Sequence, residues 1–246
     1  MLHKTKGLVL RSVKYGDTSL IVSIYTELFG LQSYMVNGVR TFSSKQPYRA
    51  NMFQPSSLLD MVVYHNDRST LQRIKEFKWA VVYEDIYQNI HKNTVALFMS
   101  EVIQKCLTQP EANLDLFNFL EDAFIHLDRS KGMVTANFPL FFLTHLAHFF
   151  GFRLNDNYSE SEHILDLQEG VFLPNHPAHP FFLDMPMSTC AAELLRTIHP
   201  DSLGELSLNR EQRKVLLDAF VSYYTFHQSG FGSLRSLPVL HSLYEI

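Results

Sequence analysis

A chain of 246 residues with 46% hydrophobic and 19% charged residues can build a packed core and is too apolar for a disordered polyelectrolyte. The net charge of −4 conceals a split, because residues 1–79 carry eleven Lys/Arg against five Asp/Glu while residues 80–246 carry ten against twenty. No run of 18 apolar residues offers a membrane span, Met1–Lys6 lacks the apolar stretch of a secretory signal, and Cys106 and Cys190 lack disulfide or metal spacing, so a reducing, cytoplasmic setting is expected.

The first 80 residues alternate in the manner of strands. Gly7–Val13, Ser19–Thr26 and Leu31–Val36 read as three of them, with Glu27–Gly30 a tight turn and Asn37-Gly38 a break. Arg40–Gln54 is polar and reads as a mobile loop. Leu58–Tyr64 and Leu71–Phe77 are the fourth and fifth strands, joined by a turn at His65–Arg68. Five short antiparallel strands in this length fit an OB-like barrel, and an SH3-like barrel has a similar pattern. Beyond Trp79 the period becomes helical: Ala80–Cys106 carries Ile86, Ile90, Leu97, Val102 and Ile103, and Leu114, Phe117, Leu120, Phe124 and Leu127 follow at spacings of three and four. Asn137 is expected to cap a helix with Pro139 in its first turn and Gly151 at its end. That helix is apolar nearly all round and so belongs at the centre of its domain. Asn155–Pro186 reads as irregular, with a short apolar stretch at Gly170–Leu173. Helices are expected at Ser188–His199 and after Asn209, whose capping box is completed by Gln212. The expected architecture is α+β in two domains. Residues 1–79 form a nucleic-acid-binding barrel, and residues 80–246 form an all-α domain with an irregular insertion at about 153–187.

Nucleotide-binding, metalloprotease and nucleophile-elbow motifs are missing, so no catalytic residue is assigned. The histidines offer the one metal-like spacing. His145 and His148 sit three apart within the apolar helix, where a structural role is the simpler reading. His176, His179 and Cys190, with His163 as a fourth ligand, make a weaker zinc set. The N-terminal region interleaves cations with rings, the combination that single-stranded nucleic acid requires. Lys4, Lys6, Arg11, Lys14, Arg40, Lys45, Arg49, Arg68, Arg73, Lys75 and Lys78 supply charge; Tyr15, Tyr25, Tyr34, Phe42, Tyr48 and Phe53 supply rings. Singly, each reads as a solvated cation or a half-buried barrel ring. Arg40, Lys45 and Arg49 stand apart because they share one polar loop with few acids nearby.

Taken in order, Thr5–Arg11, Tyr15–Val22, Tyr25-Thr26-Glu27 with Gly30, Gly38-Val39-Arg40 with Ser44-Lys45, Gln54-Pro55, Phe138–Leu143 through Gly151-Phe152, and Leu234–Leu240 resemble the RecO family of bacterial recombination mediators. The resemblance touches nearly the whole chain. It implies an N-terminal OB fold, a helical C-terminal domain, and binding to single- and double-stranded DNA with annealing of complementary strands. It also implies contacts with RecR and with the acidic tail of single-strand binding protein, recombinase loading, and a cytoplasmic, nucleoid-associated place of action. Many members carry a four-cysteine zinc module after the Gly-Phe pair. Here Arg153–Cys190 holds one cysteine, so the zinc is expected to be lost and no cofactor is assigned.

The DNA site is therefore expected at Lys4, Lys6, Arg11, Lys14, Tyr15, Arg40, Lys45 and Arg49. An apolar groove for an acidic tail is expected at Phe142, Leu146, Phe149 and Arg153, which fall on successive helical turns. The rival classes are a general OB-fold single-strand DNA or RNA binder and a metal-dependent hydrolase built on the histidines.

Overall fold

The computed structural model describes residues 1–40 and 49–244. Strand β1 (Leu2–Tyr15) pairs antiparallel with β2 (Ser19–Thr26), and β2 with β3 (Gly30–Val36). Arg49–Phe53 is a 3-10 turn, followed by β4 (Leu58–Tyr64) and β5 (Gln72–Trp79). The barrel closes in the order β1-β2-β3-β5-β4. Two features correct the antiparallel meander expected from the pattern. β3 and β5 meet in a short parallel seam, Tyr34 to Gln72 and Met35 to Arg73, and β1 is long enough to pair with β4 as well as β2. The end of the supposed mobile loop is also ordered, because Phe53 reaches into the barrel core.

Alternation builds that core. Leu20, Val22 and Ile24 of β2 point inward with Tyr34, Val36, Leu59, Met61 and Val63. On β1 the phase changes once. Val9 pairs with Ile24 and Arg11 with Ser23, so Leu10 is a bulge. Before it the even residues face out; after it Arg11, Val13 and Tyr15 do.

The described residues divide into two compact units, Met1–Gln88 with Ser100–Asp128, and Asn89–Met99 with Arg129–Ile246. The change of texture after Trp79 marks the end of the barrel strands, not the limit of the first unit. Residues 80–89 form turns rather than a helix. The Asp128 carboxylate accepts the backbone N–H groups of Glu84, Asp85 and Ile86, each at 2.9 Å. Helix α1 (Ile90–Cys106) begins after them, and α2 (Leu114–Arg129) follows. In the first unit the Tyr25 ring stacks on Phe117 of α2 at 6.3 Å.

In the second unit, α3 (Met133–Phe149) is buried on nearly every face, as its all-round apolar sequence requires. It starts earlier than expected. Asn137 lies inside the helix and is no cap, because its amide donates instead to the carbonyls of Leu203 and Leu206 at 3.0 and 3.1 Å. Pro139 is likewise internal. The C-terminus is as read: Gly151 is left-handed, its N–H meets the His148 carbonyl, and the Phe152 N–H meets that of Ala147. The segment expected to be irregular contains a small sheet in the order β7 (Val171–Leu173), β6 (Ile164–Asp166), β8 (Phe182–Leu183). Helices α4 (Met187–Arg196), α5 (Arg210–His227) and α6 (Ser236–Tyr244) complete the unit, and the Asn209–Gln212 capping box opens α5. Among the described residues no helix is long and apolar enough to cross a membrane.

Candidate nucleic-acid interface

The barrel register sorts the expected cations into different surroundings. On the outward face of β1-β4-β5, Lys6 pairs with Asp60 and Asp60 with Lys78, while Lys4 pairs with Val62 and Val62 with Glu76. A groove of about 550 Å³ runs over them and includes Glu27, so three lysines meet three carboxylates. Lys78 lies 3.3 Å from Asp60. Lys6 lies 2.8 and 3.0 Å from the two Glu121 oxygens, and that hydrogen bond raises its pKa against a smaller opposing effect of burial. This face is close to neutral, and Lys6 already holds an anion.

The other end of β1 differs. Lys14 and Tyr15 enter the β1–β2 hairpin, and Arg40 docks on it. The Arg40 guanidinium donates to the Gly16 carbonyl at 2.8 Å, and its backbone N–H donates to that of Thr18 at 3.0 Å. Arg11 lies on the same outward face as Tyr15. Among the described residues, no carboxylate is within ion-pair distance of Arg11, Lys14 or Arg40. Arg49 sits over the Phe77 ring at 4.5 Å, and Lys45, Phe42 and Tyr48 lie outside the described residues. The expected set is therefore not one patch: Arg11 and Tyr15 share the outward face of β1, Lys14 and Arg40 lie at the β1–β2 hairpin together with Asp17, and Lys4 and Lys6 belong to the neutral ladder.

The rings are sorted too. Tyr34 and Phe53 lie in the barrel core and Tyr25 is buried against Phe117, and burial drives the hydroxyl pKa of Tyr25 and of Tyr34 upward. They offer no free face. Tyr15, at 52% exposure, does, and so does Tyr64, at 47%, which the sequence reading passed over because it ends an apolar strand. Arg73 was counted among the cations but not placed in the site. Its pairing with Met35 puts it on the outward face of the β3–β5 seam. A second groove, of about 700 Å³, lies beside Ser23 and Ser33 and is walled by the β4–β5 loop with Arg68 and by Thr108–Ala112. Gln72 holds that loop by donating to the Asn66 and Ser69 carbonyls at 2.9 and 2.7 Å.

The outward face of strands two and three with the adjoining loops is where five-stranded barrels of this type hold oligonucleotides. The pattern described as Recombination protein O N terminal matches residues 1–83, and that described as Recombination protein O C terminal matches residues 87–238. The chain belongs to the RecO family. Among its curated relatives, each named DNA repair protein RecO, those of Flavobacterium psychrophilum and Bacteroides fragilis are each 32% identical over 247 residues, covering 100% of both chains. That of Azobacteroides pseudotrichonymphae is 29% identical over 245 residues, again covering 100% of both.

In this RecO-family chain the expected tail groove does not form as drawn. Phe142 and Leu146 are fully buried, because α3 is covered all round, while Phe149 is half-buried and Arg153 exposed. Two histidines of the RecO insertion meet carboxylates, whereas the buried Nδ1 of the third, His163, has no hydrogen-bond partner among the described residues. His176 lies 2.8 Å from Asp184 and His179 lies 3.3 Å from the buried Asp166. The Cys190 thiol is pushed up in pKa by burial and lies 4.0 Å from the Gln212 amide. His145 stacks on Phe141 at 4.0 Å, and His148 meets Phe149 edge-on. Among the described residues, no three His, Cys, Asp or Glu side chains are grouped to hold a metal.

Proposed function

We propose that this chain binds DNA on the outward face of β1-β2-β3 and the β1–β2 hairpin, anneals complementary single strands, and helps load recombinase onto strands coated by single-strand binding protein. The observation that supports this best is the set of Arg11, Lys14, Tyr15 and Arg40 on and next to the β1–β2 hairpin, whose turn carboxylate, Asp17, makes no ion pair with them among the described residues. Cations against phosphates release condensed counterions and relieve the repulsion between two strands. Exposed ring faces hold bases without occupying their pairing edges. Annealing makes and breaks no covalent bond, so the chain works without a catalytic centre, metal, cofactor or small-molecule substrate. Contacts with RecR and with the acidic tail of single-strand binding protein belong to the same proposal, with Phe149 and Arg153 the accessible members of the expected tail site.

The test is to replace Arg11, Lys14 and Arg40 together by Ala. Affinity for a single-stranded oligonucleotide is expected to fall, and the slope of log affinity against log salt to flatten by about 2, at about 0.7 per lost phosphate contact. Annealing should slow in parallel, with Lys6→Ala as the near-silent control. Unchanged affinity and slope in the triple variant would remove the assignment. Binding that persists without annealing, and without response to coated strands, would leave a general single-strand binder.

A further inference from the structure

The outward side chains at the Tyr64 level form a continuous row. Strand pairing carries it from Leu2 to Tyr64, then to Arg73, Met35, Ile21 and finally Val13, on β1 again. Paired residues on neighbouring strands share a face, so these six side chains make one belt round the barrel. Tyr64 is 47% exposed and stands directly beside Arg73, which among the described residues has no carboxylate within ion-pair distance. Tyr15 stands two residues past Val13 on the same face of β1. Single exposed apolar residues need no explanation. A belt with a ring near each end, an arginine between and an apolar floor has the composition that unpaired bases and their phosphates require.

We infer that one DNA strand runs round the barrel along this belt, crossing the β-strands from Tyr64 to Tyr15, with these rings as its two stacking posts and Arg73 as a phosphate contact between them. The inference rests on the DNA-binding reading above and adds a path and a second post to it. The occupant is single-stranded because a duplex keeps its base faces inside the stack and has none to offer the rings. Charge complementarity favours it too: Arg73 lies on the path and Arg11 stands two residues before Val13 on the same face of β1, neither in an ion pair among the described residues, with Asp17 the acid in the turn beyond Tyr15. The route crosses four strand gaps of about 4.8 Å, roughly 19 Å, which about six nucleotides span at a stacked rise of about 3.4 Å.

The experiment titrates the full-length chain with thymidine oligonucleotides from about four to about sixteen nucleotides, followed by fluorescence anisotropy. Tyr64→Leu keeps apolar bulk and removes the flat face; Tyr64→Phe keeps the face. Tyr64→Leu is expected to bind oligonucleotides longer than about six nucleotides about five- to tenfold more weakly, to bind the shortest nearly as the wild type does, and to leave duplex binding within about twofold. Tyr64→Phe should bind as the wild type at every length. Wild-type affinity of Tyr64→Leu at all lengths, or an equal loss on duplex, overturns the path, provided Arg11→Ala still weakens binding. If Arg11→Ala is also without effect, the DNA-binding reading itself has failed.

Discussion

Lys6 and Arg11 lie five residues apart on one strand and meet opposite fates. A phosphate approaching Lys6 would have to displace Glu121, whereas Arg11 has no carboxylate within ion-pair distance among the described residues. The Lys6–Glu121 pair adds little to stability, below about 1 kcal/mol, because the lysine side chain is 42% exposed and screened. A half-buried histidine ties stability to pH. The Nδ1 of His145 lies 2.9 Å from the Phe141 carbonyl, and burial holds its pKa below the usual imidazole value, with the backbone hydrogen bond opposing. Because the folded pKa is depressed, the unfolded chain binds the extra proton first on acidification. The stabilisation is complete above the unfolded value of about 6.5 and drains away as pH falls from there towards the folded pKa. Urea unfolding from about pH 7.5 down to about 5.5 should show wild-type stability declining more steeply than that of His145→Gln. Parallel curves would mean that the imidazole is not held neutral.

At the scale of elements, the strand limits of β2 and β4, the capping box of α5 and the glycine end of α3 were all legible, because each rests on local rules: alternation, a side chain reaching its own backbone, a left-handed residue. The start of α3 was not. A cap signal at Asn137 is outweighed by two hydrogen bonds to carbonyls more than 60 residues away, which no local pattern announces. Gly30 joins the two kinds of information. The Glu27–Gly30 turn was readable, and Gly30 takes a φ of +61°. What it packs against was not readable: a Cβ there would overlap the Glu111 backbone between α1 and α2. Gly30→Ala is therefore expected to lower the unfolding free energy by more than about 2 kcal/mol, combining the left-handed penalty with the overlap. A loss below about 1 kcal/mol in urea titration would show that the contact yields easily.

At the scale of the molecule, the first unit is not a contiguous stretch of chain. Ser100–Asp128 belongs to it, and outward-facing barrel residues such as Leu8, Tyr25 and Leu58 are fully buried. A fragment of residues 1–79 would expose apolar area worth about 25 cal/mol per Å². It should accordingly aggregate or unfold without cooperativity, even though it contains every barrel strand. Cooperative unfolding of that fragment at the midpoint of the intact unit would show that the barrel needs no cover.

The barrel strands, the mainly helical second half, the unequal division of charge and the family were all present in the order of residues, because alternation, helical period and motif spacing are properties of neighbours along the chain. Which cations are left for a polyanion was settled by folding. One bulge at Leu10 turns Arg11, Val13 and Tyr15 outward together, and closure of the barrel brings Arg73 beside Met35 and Tyr64 beside Leu2. Glu121 then occupies a lysine 115 positions away. A period of two says only that side chains alternate; a single extra residue reverses every face beyond it, and charges are paired by distance in space.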